Sequence, residues 1–85
     1  MDDIVNKLNA LETRKDFIDF IRILANDLKT DPVKWENTNL PSYLEAMANW
    51  TEDMDGYYNN MQLPVPGNAD WKLFAQILMA AKIYE

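Results

Sequence analysis

Hydrophobic and polar positions follow one another at helical spacing along most of the chain. Ile4, Leu8 and Leu11 recur at intervals of four and three residues, which predicts a short amphipathic helix that ends near Glu12. From residue 14 to residue 28 the apolar positions cover more than one narrow stripe. We therefore expect this second segment to be a central helix with neighbours on two sides.

The limits of the second helix are marked by capping residues and proline. Thr13 is placed where an N-cap belongs, and Asp16 three residues later completes an acidic version of the capping box. Asp31-Pro32 ends the helix, because proline lacks an amide proton and disfavours helical geometry in the residue before it. A single turn opened by Pro32 and carrying Trp35 is expected after it.

Two further helices complete an all-α, four-helix domain, and no segment has the alternation of a strand. The third helix is predicted from Leu40 to Thr51, fraying as far as Asp55. Gly56 is expected at its C-terminus or in a tight turn. An irregular proline-containing connection then leads to the last helix, residues 69–84, which Asn68 is predicted to cap.

Composition limits the classes of chemistry. The 85 residues, 48% of them hydrophobic, form a single predicted domain spanning residues 1–85. Cysteine and histidine are both absent, which removes thiol and histidine catalysis and nearly all zinc sites, so we predict no cofactor and no metal. The N-terminus has no apolar run, and the net charge of −6 repels phosphate backbones. These features favour a cytoplasmic protein that binds neither membrane nor nucleic acid.

A stripe of large side chains marks the third helix and its continuation. Its members recur at four, three, four and three residues: Tyr43, Met47, Trp50, Met54 and Tyr57. Most such stripes face the core. Aromatic residues and methionine are also enriched at interfaces, so a partner groove is the alternative.

Carboxylates crowd the same segment. Glu45, Glu52, Asp53 and Asp55 lie there, and no basic residue occurs between Lys34 and Lys72. We predict a locally negative surface that would steer a basic ligand towards it. A calcium loop that starts at Asp53 fails, because its twelfth position is Pro64 rather than glutamate. The predicted binding residues of this segment are Trp50, Glu52, Asp53, Asp55, Tyr57 and Tyr58.

Trp35, Glu36 and Asn37 form a second conspicuous cluster, in a predicted loop. A loop tryptophan commonly covers the end of a small helical core and donates its indole proton to a backbone carbonyl. Glu36 or Asn37 would then cap the segment on its C-terminal side. The alternative is surface recognition by Trp35 and Glu36.

Four sequence motifs carry a resemblance to a known family: W-E-N at residues 35–37, Y-L-E-A-M at 43–47, W-x-x-D-M-D-G-Y-Y at 50–58 and A-A-K-I-Y-E at 80–85. Together they resemble a family of small bacterial proteins of unknown function, over a span from about Thr13 to Glu85. The resemblance implies a bacterial source and a small domain that stands alone. It transfers no activity.

The function expected from these features is a non-enzymatic, cytoplasmic protein-binding module. By analogy with small acidic bacterial proteins, it could be an immunity or antitoxin-like protein that occludes a basic partner. The alternative is a protein that binds a sugar or cation, or a weak carboxylate-dependent hydrolase that holds sugars on tryptophan. A homodimer that buries the stripe against its own copy is a third expectation.

Overall fold

A computed structural model describes residues 3–84, and it confirms the all-α fold. Four α-helices are joined by short loops, with no strand in that part of the chain: α1 (Asp3–Asn9), α2 (Arg14–Thr30), α3 (Leu40–Asn60) and α4 (Trp71–Ala81). A single 3-10 turn, Pro32–Lys34, lies between α2 and α3. The connection before α4 is irregular and contains two prolines, as predicted.

The start of α2 is the predicted capping box. The Thr13 hydroxyl accepts a hydrogen bond from the Asp16 amide at 3.1 Å, and the Asp16 carboxylate accepts from the Thr13 amide at 3.2 Å. The same carboxylate accepts from the Glu12 amide at 3.0 Å. These backbone hydrogen bonds, that from Glu12 first, lower the pKa of Asp16. The helix ends at Thr30, with Asp31 as its C-cap just before Pro32, also as predicted.

Helix α3 is longer than predicted, and Gly56 lies inside it rather than at its end. A glycine inside a helix costs about 1 kcal/mol, whereas burial of one large apolar side chain contributes about 1.5 to 3 kcal/mol. Continuing the helix carries Tyr57 and Tyr58 onto Trp50, with ring centroids 5.5 and 6.4 Å apart. The free energy gained by packing the two tyrosines therefore exceeds the cost of a glycine inside the helix. The chain turns only after Asn60.

Helix α4 begins at Trp71, slightly later than predicted. Asp70, not Asn68, is its N-cap, and its side chain accepts from the Leu73 amide at 2.8 Å. The helix also ends at Ala81, before the predicted Tyr84. The reason is that carbonyls at this end of α4 bond to Glu36 and Asn37, in a loop far away in sequence.

Helix α4 is the centre of the molecule. It packs against α1, α2 and α3, whereas α2 and α3 bring no pair of Cα atoms within 8 Å of one another. One apolar cluster joins α1, α2, α4 and Trp35, with Tyr43 of α3 packed against it, and a second joins α3 to α4. None of the helices in residues 3–84 has the length and apolarity needed to cross a membrane. Because α2 and α3 both pack on α4 without approaching one another, they leave an open groove above α4.

Candidate functional site

The predicted aromatic binding residues lie mostly inside the molecule. Trp50 is 5% exposed and Tyr58 is 9% exposed, and both pack against Leu73 of α4. Tyr57 is half-buried beside them. The stripe on α3 thus faces α4, and these rings hold the two helices together.

Trp35 is also buried, and it belongs to a polar cluster. Its indole Nε1 donates to Asp27 Oδ2 at 2.8 Å, so the acceptor is a carboxylate and not the backbone carbonyl that we expected. Lys82, only 7% exposed, donates from Nζ to the same oxygen at 2.9 Å and lies 5.5 Å from the Trp35 ring centre. The Lys82 hydrogen bond is the main reason that the pKa of Asp27 is lowered.

Asn37 closes the end of α4. Its Nδ2 donates to the carbonyls of Ala81 and Tyr84, at 3.0 and 2.7 Å. The backbone amides of Glu36 and Asn37 both donate to the Lys82 carbonyl, at 3.0 and 3.1 Å. The predicted capping role of Asn37 thus applies to the C-terminus of α4, not to the segment on the C-terminal side of Asn37. The Glu36 side chain is exposed.

The carboxylates of α3 are exposed, but they lie in two different surroundings. Asp53 accepts a hydrogen bond from the Tyr84 hydroxyl, which raises the pKa of Tyr84. The side-chain carboxylates of Glu45, Glu52 and Asp55 form no hydrogen bond or ion pair within residues 3–84. Asp53 therefore has a partner within the structure, whereas the other three carboxylates have none among the described residues.

Asp53 borders an open cleft of about 810 Å³ between α3 and the end of α4. Three aromatic rings line it, those of Trp50, Tyr57 and Tyr84, together with the amides of Asn60 and Gln76. Asp53 is the only carboxylate among its described lining residues, so the two carboxylates of a glycosidase do not meet there. Within residues 3–84, no three carboxylates are grouped so that they could hold a metal ion.

A second concave surface, which the sequence did not predict, is the α2/α3 groove, with α4 as its floor. Its wider half holds about 650 Å³ and is almost entirely apolar: Phe17, Met47, Ala48, Thr51, Trp71, Phe74, Ile77 and Leu78. The Phe17 ring lies 5.3 Å from Trp71 and 6.3 Å from Phe74. Trp71 and Phe74 remain 38% and 44% exposed. Two large aromatic side chains are thus left facing solvent side by side.

The groove continues towards the N-terminus of α3. Ile21, Ala25 and Leu28 of α2 line this narrower half of about 360 Å³, and it shares Leu78 with the wider half. The sequence contained one signal for it. The apolar residues of α2 cover more than the faces that α1 and α4 bury, and Ile21 on the remaining face is left exposed.

The α3 rim of the groove is acidic. Glu45, Ala48, Glu52 and Asp55 recur at intervals of three, four and three residues, so they form one strip along α3, the acidic strip. All four are exposed, and Ala48 lines the groove. An apolar floor with aromatic anchors and a charged edge is a surface suited to an amphipathic helix.

A family model matches residues 13–85, most of the chain, and describes DUF7660, a family of unknown function. The chain belongs to DUF7660. The match begins at the N-cap of α2, so both walls and the floor of the groove lie within the DUF7660 region, and α1 lies before it. No curated protein and no solved structure matches the chain.

Proposed function

We propose that this protein is a non-enzymatic protein-binding module that holds an apolar, basic segment of another protein in the α2/α3 groove. The observation that carries the proposal is the α2/α3 groove itself, in which exposed Trp71 and Phe74 lie beside the acidic strip of α3. A contiguous apolar surface of this kind is uncommon on a monomer and typically marks an interaction site.

Binding would combine steering with apolar anchoring. Unpaired Glu52 and Asp55 attract a basic segment over a distance set by the ionic strength. The aromatic pair Trp71 and Phe74 then accepts its apolar side chains, which displaces water from both surfaces. The partner's own site would be covered, as in immunity or antitoxin-like proteins, and the bacterial cytoplasm is the setting that we propose for this.

The proposed binding site leaves out some of the residues that the sequence singled out. Trp35, Trp50 and Tyr58 are buried and hold helices together, so their removal would unfold the domain before it tested binding. Glu52 and Asp55 stay in the proposed site. Trp71 and Phe74 replace the buried rings as the aromatic anchors.

The test has two steps. The purified protein first captures partners from a bacterial lysate at low and at high salt. The affinity for a captured protein is then measured for the unchanged protein and for matched variants. Phe74→Ala should lose at least about 2 kcal/mol, roughly 30-fold, if the ring is an anchor. Glu52→Gln should weaken binding mainly at low salt. Asp3→Asn removes one charge from α1, outside the groove, and serves as control.

Two results would contradict the proposal. One is equal binding by folded Phe74→Ala and by the unchanged protein. The other is capture of acidic proteins alone, because the acidic strip would repel them.

A small ligand in the α3/α4 cleft is the second candidate function. Its support is the set of three aromatic rings and two amides around about 810 Å³ of space, a combination that suits a sugar or another neutral polar ring. A screen of saccharides by thermal shift tests it. Ligands that never raise the melting temperature, or that raise it equally in Gln76→Ala, would remove this candidate.

A further inference from the structure

The α2 rim of the groove, opposite the acidic strip, is basic. Arg14, Ile18, Arg22, Ala25 and Lys29 recur at intervals of four, four, three and four residues, so they lie along one strip of α2, the basic strip. All five are exposed. No ion pair or hydrogen bond joins the three charged side chains to any other residue in the described part of the chain.

The acidic strip and the basic strip have the same number of charges and a similar spacing. Each has three charges of one sign, and each contains one alanine that lines the groove, Ala25 on α2 and Ala48 on α3. With a rise of about 1.5 Å per residue, Arg22 and Lys29 lie about 10 Å apart, the same spacing as Glu45 and Glu52. The two rims of the groove therefore carry complementary charge at comparable intervals.

We propose that in the free protein the groove is filled by a second copy, with α2 of each copy lying in the α2/α3 groove of the other. The α2 helix is itself an amphipathic helix with one basic strip and exposed Ile18 and Ile21, the chemistry that the acidic strip and the apolar floor of the groove accept. A two-fold axis then places the basic strip of each copy against the acidic strip of its partner, so that the same contact forms twice.

A second copy fits the groove better than a uniformly basic helix does. Such a helix would be attracted by Glu52 and Asp55 on one wall but repelled by Arg14, Arg22 and Lys29 on the other. Twofold self-association satisfies both walls and also covers Trp71 and Phe74. The dimer does not depend on the partner of the proposed function, and a partner that used this groove would compete with it.

The test uses sedimentation equilibrium of the full chain across a concentration series, with four charge variants. Arg22→Glu and Glu52→Lys each place like charges against one another, and each should weaken the dimer at least about tenfold. The double variant restores opposite charges and should recover most of the loss. Lys7→Glu on α1 changes the same charge as Arg22→Glu outside the groove and should leave the dimer unchanged.

Mixing the two single variants gives the sharpest result. In an Arg22→Glu/Glu52→Lys heterodimer, one contact pairs glutamate with lysine and the other retains the native arginine and glutamate. We therefore expect the mixture to dimerise where each variant alone stays monomeric, with circular dichroism showing that both are folded. Higher salt should dissociate the native dimer.

The proposal is overturned if the unchanged protein is a monomer up to millimolar concentration, or if mixing the single variants restores nothing. Either result leaves the proposed function intact, provided that a basic protein is still captured at low salt. A dimer that survives every charge change, with no captured partner, would count against both proposals.

Discussion

Asp27 is the residue on which three elements depend. Its carboxylate in α2 accepts from Trp35, after the 3-10 turn, and from Lys82, at the end of α4. The Lys82 side chain is 9% exposed, so an unpaired ammonium would be left in a largely apolar place if the carboxylate were removed. The Asp27 side chain is 24% exposed, so the pair is partly buried, and removing one member of such a pair is more damaging than breaking a fully exposed one.

We expect Asp27→Asn to lower the free energy of unfolding by at least about 2 kcal/mol, because the amide keeps an acceptor for Trp35 but loses the charge that balances Lys82. Asp19→Asn on the same helix removes the exposed pair with Lys15 and should cost less than about 1 kcal/mol. Urea unfolding of both variants at neutral pH measures this. Equal losses of unfolding free energy in the two variants would show that the Asp27, Trp35 and Lys82 cluster stabilises the fold no more than the exposed pair does.

The direction of the Asp27 pKa shift determines how the contribution of Asp27 to stability changes with pH. The folded pKa of Asp27 lies below its ordinary value of 3.8, so its contribution is complete above that pH and is lost as the pH falls through the lowered pKa. Asp27→Asn should lack this part of the acid-induced loss. A parallel fall of both stability curves below pH 4 would contradict the assignment.

Tyr43 should contribute to the loss of stability at the alkaline end. Its hydroxyl donates to the Leu78 carbonyl at 2.7 Å, and burial raises its pKa to about 12. The unfolded chain ionises near the ordinary value of 10.0, so stability is full below that pH and is lost as the pH rises through about 12. Tyr43→Phe should lose about 1 kcal/mol at neutral pH and show a shallower alkaline decline. Unfolding curves at several pH values test both effects.

At the scale of elements, α3 tolerates a glycine that it does not need. A Cβ atom built at Gly56 meets nothing within 4 Å, and its φ is not positive. Gly56→Ala should therefore raise the free energy of unfolding by about 0.5 to 1 kcal/mol, because alanine loses less backbone entropy on folding. Gly67→Ala, in the connection before α4, has equal space and gives no helical gain. A destabilised Gly56→Ala would show that the turn predicted there forms.

The elements that the sequence predicted well are those set by local chemistry. The Thr13 capping box and the end of α2 before Pro32 each depend on neighbours within four residues. The errors occur where distant residues decide. Helix α3 passes Gly56 because its tyrosines pack on Trp50, and α4 stops at Ala81, where Asn37, forty-four residues earlier, takes the carbonyl.

The same distinction explains which parts of the site the sequence could show. The charge of the acidic segment was readable, since exposed carboxylates need no tertiary contact. The α2/α3 groove was not readable, because Trp71 and Phe74 have the periodicity of core residues. They are exposed only because α2 and α3 stand apart on two sides of α4.

At the scale of the whole molecule, α4 contributes buried residues to both apolar clusters, and Tyr43 at the start of α3 also packs against the first cluster. Ala75 of α4 belongs to the cluster with α1 and α2, and Leu73 belongs to the cluster with α3. Helix α1 precedes the residues matched by the family, yet Ile4 and Leu8 are buried in the first cluster. Whether residues 1–85 unfold as one unit therefore depends on how well α4, together with the stacking of Tyr43 on Trp35, transmits a loss from one cluster to the other.

We expect that transmission to be complete, because the shared helix is short and fixed at its end by Asn37 and Lys82. Leu11→Ala empties a site that is 2% exposed and should cost about 3 kcal/mol. Hydrogen exchange should then show the slowest amides of α3 losing as much protection as those of α2, whereas Val5→Ala on exposed α1 surface should change neither. Unchanged protection in α3 would instead mean that the α3 and α4 cluster survives by itself, so that the groove could lose its α2 wall while the acidic strip stayed folded.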